Sequence, residues 1–299
     1  MKLGVDIGGT EIKFGVVDDA FATVEKFAIP TPRKYGESIV ESIAEVCLET
    51  AKKYPVEGIG IGSPGIIDGR EGVILRASNL PFLNTPVTEP LRARTGTRVV
   101  LGNDASCAML GELYAGYGRE YDDMLMITLG TGVGGGIIID KKPYFGKNGS
   151  AGEFGHMVVE FDGLPCGCGR KGCFEKYASV SALIGLTVRA VEENPKSLLA
   201  EMSGAKIDGR TAFNAMKEGC PVAQQVVDEY ISHLAVGVEN LIMLFQPEII
   251  VFGGAISNEG DWLLNPLRSK IVTDALLVCS RLKNDAGYIG AAAQLLDEA

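Results

Sequence analysis

With 299 residues, 46% of them hydrophobic and 22% charged, the chain can bury one large core or two smaller ones as a soluble globular protein. Its formal net charge of −10 argues against a nucleic-acid partner, because duplex binding draws on cationic contacts to phosphate. No apolar run approaches the ~20 residues of a membrane span and the charged start lacks a signal-peptide profile, so the protein is expected in the cytoplasm, away from membranes.

Residues 2 to 18, KLGVDIGGTEIKFGVVD, predict two apolar strands around a tight turn at Gly8-Gly9-Thr10. Thr23 to Ile29 reads as a third strand. Gly36 to Lys53 reads as a helix with apolar residues at Ile39, Ile43, Val46 and Leu48. Val56 to Ile61 is a strand entering a turn at Ser63-Pro64-Gly65. Arg98 to Leu101 is another, ending at Gly102-Asn103-Asp104 before a helix over Ala105 to Tyr117. Strand ends are where open α/β sheets carry functional groups. Asp104 could be a plain helix N-cap; in phosphoryl transfer the same carboxylate would accept the proton of an attacking hydroxyl.

The second half repeats this opening. Residues 123 to 140, DMLMITLGTGVGGGIIID, place Gly130-Thr131-Gly132 between two apolar strands. Glycine lets backbone N–H groups approach phosphate oxygens and threonine adds a donor, so the two turns suit a nucleotide's phosphates held by two similar domains. Each turn alone also reads as an ordinary glycine-rich hairpin. Gly130-x-Gly132-x-x-Gly135 spells a dinucleotide fingerprint, but a helix must follow it, and Ile137 to Asp140 continue as strand. No P-loop sequence occurs.

One of only two histidines, His156, stands upstream of Cys166, Cys168 and Cys173. Imidazole and thiolate suit tetrahedral zinc, and Gly167, Gly169 and Gly172 let the backbone turn tightly enough to bring all four to one ion. Unligated thiols are the plainer alternative. A disulfide is disfavoured, since Cys166 and Cys168 are too close to pair comfortably and seven cysteines is an odd count. Cys47, Cys107, Cys220 and Cys279 lie in apolar stretches and read as core. His233, between Ile231 and Leu234, has no ligand neighbours and reads as structural. Ala178 to Glu193 and Val222 to Phe245 predict helices, the second stopped near Pro247. Glu248 to Phe252 predicts a buried strand ending at Gly253-Gly254, and a last helix over Ile289 to Leu296 packs back on the first domain.

DIGGT at 6 to 10, the strand-end Asn103-Asp104, LGTGVGGG at 129 to 136, GEFGH at 152 to 156, CGCGRKGCFE at 166 to 175 and Gly253-Gly254 together resemble the ROK family of sugar kinases. The GExGH and CxCGxxGCxE elements are specific to that family. A glycine-rich hairpin is shared by the wider actin and hexokinase superfamily. The resemblance implies an α/β fold of the two-domain, actin-like or hexokinase type, related to ribonuclease H, with a cleft between the domains. Residues 1–117 with 287–299 would form the smaller domain and 118–286 the larger one carrying the zinc loop.

Residue by residue, the resemblance makes Asp104 the general base and Asp6 the residue that positions Mg²⁺ through water. Gly8, Gly9, Thr10, Thr131 and Gly132 would hold ATP phosphates, and Gly253 and Gly254 would approach the adenosine; Lys13 could neutralise phosphate charge or be a solvated strand lysine. Gly65, Asn79, Asn103, Asp104, Glu153, His156 and Glu175 would line the sugar site. His156, Cys166, Cys168 and Cys173 would bind a structural Zn²⁺, one ring nitrogen of His156 on the metal and the other donating to a hydroxyl. Glu11 occupies a position often basic in the family. The partners implied are a hexose and ATP, in a homodimer or homotetramer.

Arg76 to Asn84, RASNLPFLN, is similar to the sugar-facing loop of ROK glucokinases, with Phe82 where many have tryptophan, a change expected to widen the pocket. Glucose is the first expectation, with N-acetylmannosamine, allose, fructose or a β-glucoside as alternatives. The family also contains sugar-responsive repressors that carry a DNA-binding segment ahead of the kinase-like part. The first strand here starts at Lys2, and a non-catalytic sugar-responsive regulator stays the alternative from another class.

Overall fold

In the computed structural model, which describes residues 1–32, 35–77, 80–147 and 149–296, the opening apolar runs pair as an antiparallel meander of β1 (Lys2–Ile7), β2 (Glu11–Val17) and β3 (Thr23–Pro30). Helix α1 (Gly36–Lys53) buries Ile39, Val40, Ile43, Ala44 and Cys47, one face at three- and four-residue spacing. It returns the chain to β4 (Gly58–Ser63), parallel to β1. Short strands β5 (Ile66–Asp68), β6 (Val73–Arg76) and β7 (Leu83–Pro86) form a separate antiparallel sheet. Helix α2 (Thr88–Thr95) leads to β8 (Arg98–Asn103), parallel to β4, and then α3 (Asp104–Ala115). The main sheet has the order β3-β2-β1-β4-β8.

The sequence of β4, GIGIGS, alternates with the strand's period of two and so presents two unlike faces. Ile59 and Ile61 pack in one cluster with Ile39 and Ile43 of α1. Gly58 and Gly60 leave the other face bare, and the C-terminal helix (Ala286–Ala293) lies directly on it. A Cβ at Gly60 would fall 1.8 Å from the Ala291 carbonyl oxygen, and one at Gly4 1.8 Å from that of Tyr288. The same helix touches α3 backbone to backbone: a Cβ at Gly290 would lie 1.5 Å from the Cys107 carbonyl oxygen. Met1–Glu120 with Asn284–Ala299 thereby form one compact unit.

Tyr121–Lys283 form the second unit. Its sheet opens with β9 (Met124–Leu129), β10 (Val133–Ile139) and β11 (Lys142–Pro143), again an antiparallel meander. Helices α4 (Glu175–Ala178), α5 (Val180–Glu193), α6 (Leu198–Ser203), α7 (Thr211–Lys217) and α8 (Pro221–Phe245) follow. Strand β12 (Ile249–Gly253) is parallel to β9, and after α9 (Asp261–Lys270) strand β13 (Leu276–Cys279) is parallel to β12. The order β11-β10-β9-β12-β13 repeats the first sheet. Helix α8 has Pro221 in its first turn, where the missing N–H costs nothing, and buries Leu234, Val238 and Leu241 in one cluster with Ile127 and Phe252. Among the described residues no helix is long and apolar enough to cross a membrane.

Several boundaries differ from those read in the sequence. The helix over Ala178 to Glu193 is broken at Ser179, whose extended backbone ends α4 and whose hydroxyl caps α5 by accepting from the Ala182 N–H. The last helix starts earlier, at Ala286, and closes in a 3₁₀ turn over Gln294–Leu296. Strands β5 to β7 escape the sequence analysis because runs of three or four residues show no period. Cys279 is half-buried rather than core.

The close glycine contacts make a paired prediction. Gly290→Ala should destabilise the protein by about 3 kcal/mol or more, since its methyl meets a carbonyl that cannot step aside. Gly185→Ala, within α5 and with nothing within 4 Å of the added Cβ, should stabilise by about 0.5–1 kcal/mol. Denaturant melts of the two variants check both signs.

Candidate active site and metal centre

In the first unit the predicted residues gather at the carboxyl ends of parallel strands. Asp6 lies near the end of β1, across the strand pair from Lys13 of β2. The turn between them closes with the Gly8 N–H donating to the Glu11 carbonyl at 3.0 Å. Thr31 braces it from behind, its N–H donating to the Thr10 carbonyl at 3.0 Å and its hydroxyl to the Gly8 carbonyl at 2.7 Å. Lys13 also pairs with Glu11, Nζ to Oε1, at 3.7 Å. Burial pushes the Asp6 carboxyl up from 3.8 to about 6; Lys13 opposes the rise, and the Asp104 and Glu11 carboxylates add to it.

At the end of β8 the helix cap belongs to Asn103. Its Oδ1 accepts from the N–H groups of Ala105 at 2.9 Å and Ser106 at 3.3 Å, while its Nδ2 donates to the Gly65 carbonyl at 3.4 Å. Asp104 stands in the first turn of α3, with Oδ1 2.9 Å from the Ala105 N. Gly65 has φ 106, and a Cβ there would lie 2.3 Å from the Arg76 carbonyl oxygen, so glycine is required where this loop crosses β6. Asn79 lies outside the described residues. Phe82 is only 3% exposed and belongs to the unit's core, against Gly36. Its ring faces inward, which corrects the expectation that it widens a sugar pocket.

In the second unit the Gly130–Gly132 turn ends β9, beside the end of β12. Gly253 is paired with Thr128, and Gly254, at φ 82, passes so close to β9 that a Cβ would lie 2.4 Å from the Leu129 carbonyl oxygen. Among the described residues no protein acceptor takes the N–H of Thr131 or Gly132. The turn's carbonyls are held from behind: the Val180 N–H donates to Gly130 at 2.8 Å and the Ser181 hydroxyl to Thr131 at 2.8 Å. Glu175 is also engaged here, its Oε2 accepting from the Val133 N–H at 3.2 Å. Sequence reasoning missed Thr31 and Ser181, whose positions carry no local motif, and missed this second contact of Glu175.

GEFGH lies flat on β10 because glycine meets backbone twice. A Cβ at Gly155 would fall 2.2 Å from the Val133 carbonyl oxygen, and one at Gly135 2.5 Å from that of Gly152. This sets exposed Glu153 beside half-buried His156 on one 3₁₀ turn. The cysteine loop folds back under them, with Gly169 at φ 90 and Gly172 at φ 74 making its corners. Ligand atoms of His156, Cys166, Cys168 and Cys173 all lie within 4.8 Å of one another.

The Cys166 Sγ is 3.7 Å from the His156 Nδ1, and the Cys168 and Cys173 Sγ atoms are 3.6 Å apart. Zn–S bonds of about 2.3 Å in a tetrahedron give edges of about 3.8 Å, so donor chemistry and spacing both fit zinc. The Arg170 N–H and guanidinium hold the exposed Cys168 thiol down to about 6, towards the thiolate a metal needs. His233 stacks on Tyr177, ring centres 5.0 Å apart, and Tyr177 accepts the Leu164 N–H at 2.7 Å, so this histidine supports the loop from below.

A family model described as ROK family matches residues 2–298. The chain belongs to the ROK family. It is 37% identical over 302 residues to a glucokinase of Thermotoga maritima, covering 97% of this chain and 95% of that protein. Identity to a glucokinase of Streptomyces coelicolor is also 37%, over 308 residues, covering 98% and 96%. Among solved structures, the ROK family glucokinase of Streptomyces griseus in complex with glucose and AMPPNP matches with a TM-score of 0.86 at 36% identity, covering 98% of each chain. The two sheets of like order are those of the two-domain hexokinase and actin-like α/β fold that these ROK kinases share.

Asp6 makes the pH dependence testable. Its folded value lies above the unfolded 3.8, so the folded protein binds more protons between about pH 4 and 6. Stability from this group is therefore greatest below pH 4 and is lost as pH rises through 6, by no more than about 3 kcal/mol given its partial exposure. Asp6→Asn should be at least as stable as the wild type at pH 7.5 without ligands and should lack that slope, as urea melts at several pH values would show.

Proposed function

We propose that the protein is an ATP-dependent hexose kinase that converts glucose to glucose 6-phosphate. The observation that carries this reading is the placement of Asp104: at the carboxyl end of β8, with the helix cap supplied by Asn103, its carboxylate can serve as a base. The sugar's primary hydroxyl oxygen attacks the γ-phosphorus, its proton passes to Asp104, and the bond from the γ-phosphorus to the bridging oxygen breaks to release ADP. Glucose is chosen because two relatives at 37% identity are named glucokinase and a third, at 36%, was solved with glucose and AMPPNP.

Gly8, Gly9, Thr10, Thr131 and Gly132 hold the phosphates of ATP, Lys13 adds a cation, and Gly253 and Gly254 leave room for the adenosine. Asp6 would hold Mg²⁺ through water, which supplies positive charge against the β- and γ-phosphates; the raised carboxyl of Asp6 supports this, since a cation beside it would restore ionisation at neutral pH. Glu153, His156 and Glu175, with Gly65, Asn79 and Asn103, satisfy the sugar's hydroxyls, each of which both donates and accepts. His156, Cys166, Cys168 and Cys173 would hold a Zn²⁺ that cross-links the loop. Nδ1 of His156 faces the cysteines, leaving Nε2 for a hydroxyl. We place the enzyme in the cytoplasm as a homodimer or homotetramer, and a monomer by light scattering would remove the last assignment.

The test is ADP release from ATP and Mg²⁺ over glucose, N-acetylmannosamine, allose, fructose and a β-glucoside, with zinc measured on the same sample. Turnover on glucose and about one zinc per chain are expected. Sugar binding without turnover on any of them would favour a sugar-responsive regulator. Asp104→Asn should lower kcat by about 10²–10⁴-fold while leaving glucose affinity nearly unchanged by calorimetry; near-normal turnover would remove Asp104 from its role. Cys168→Ser should lose zinc and weaken glucose binding together, and a variant that keeps both would contradict the ligand set.

A further inference from the structure

We propose that Ser181 is a positioning residue for the nucleotide, and that the segment from Cys173 to Ser181 couples the zinc centre to the Gly130–Gly132 phosphate turn. The inference rests on the kinase reading above and extends it to residues outside the family motifs. Two hydrogen bonds from this one segment reach that turn, and a third reaches Val133, the strand residue directly after it. Glu175 Oε2 accepts the Val133 N–H at 3.2 Å, the Val180 N–H donates to the Gly130 carbonyl at 2.8 Å, and the Ser181 hydroxyl donates to the Thr131 carbonyl at 2.8 Å. Glu175 also approaches so closely that a Cβ on Gly132 would fall 2.2 Å from Oε2.

The segment itself is stiff. Phe174 is fully buried against Gly237 of α8, where a Cβ would meet its ring at 2.3 Å. Buried Tyr230 of α8 donates its hydroxyl to the Ala178 carbonyl at 2.7 Å. Cys173, at the start of the segment, is a zinc-ligand candidate two residues before Glu175. Fixing the carbonyls of a tight turn from behind fixes the directions of its N–H groups, which is what an anion senses. The first unit uses the same device, with Thr31 holding the carbonyls of Gly8 and Thr10. A zinc-ligand candidate, the proposed sugar carboxylate and the two donors that hold the phosphate turn thus lie along one short, rigid stretch of chain.

The experiment is calorimetric binding of Mg·AMPPNP without sugar, with glucose binding as a control, on the wild type, Ser181→Ala, Ser181→Thr and chelator-stripped wild type. Ser181 is exposed, so Ser181→Ala should keep its melting temperature. Its Kd for AMPPNP should rise about fivefold, as expected for one lost hydrogen bond, with glucose affinity unchanged and Ser181→Thr restored to within about twofold. Metal removal should weaken AMPPNP by at least the same factor. An unchanged AMPPNP Kd in Ser181→Ala overturns the role of Ser181, and an unchanged Kd after stripping overturns the coupling. A wild type that binds glucose but no AMPPNP removes the kinase reading and this inference with it.

Discussion

Direct backbone contact between the C-terminal helix and the first sheet is the constraint on which the first unit is built. Gly4, Gly60 and Gly290 let the helix approach to distances that any side chain would forbid. That closeness has a chemical consequence. A Cβ on Gly287 would lie 2.5 Å from Asp6 Oδ2, so the same seating that packs the helix also strips water from the Asp6 carboxylate. The raised Asp6 carboxyl is therefore a product of packing, with neighbouring carboxylates adding to it. The helix meets α3 at Gly290 as well, and α3 carries Asp104 on its first turn.

The second unit keeps the sheet order but holds its glycine turn differently. In the first, one threonine placed just after β3 holds both turn carbonyls. In the second, the backing comes from the loop and helix that follow the cysteine cluster, and β11 is reduced to two residues. The short edge strand leaves room for a long excursion between β11 and α4, and that excursion contains GEFGH and all three loop cysteines. Its described residues have little regular secondary structure, and it is held by turns at Gly152, Gly169 and Gly172, all at positive φ, with His156 and the cysteines clustered together. Phe154 and Phe174 anchor it in the core while Phe161 and Leu164 between them stay exposed, so a metal cross-link would be a physically economical way to fix the intervening stretch.

What could be read from the sequence follows from how local each signal is. The two hairpins with their turns, the long helices and the buried strand before Gly253 have strong periods or glycine punctuation, and the structure contains them. The His–Cys cluster was legible because zinc demands particular side chains at close spacing, and the loop does bring their ligand atoms together. Thr31, Ser181 and the hold of Glu175 on Val133 were not legible, since each is a contact between segments with no mark of its own. Phe82 shows the opposite failure. Its place in a familiar loop suggested a pocket wall, yet an aromatic ring in an apolar stretch is more strongly drawn to the core, which is where it lies.

Asn103 and Asp104 show how one helix terminus can satisfy structure and chemistry at once. The first turn of α3 has N–H groups without intrahelical acceptors, and a neighbouring carboxylate would ordinarily be drawn into capping them. Asn103 takes two of these N–H groups with a neutral oxygen, and its amide nitrogen reaches the Gly65 carbonyl. The Ala105 N–H also meets the Asp104 Oδ1, so amide and carboxylate share the opening of the helix, while the Ser106 N–H goes to Asn103. Exchanging the two residues would put the carboxylate in the cap and the amide at the proposed base position, keeping the helix while removing the proposed proton acceptor.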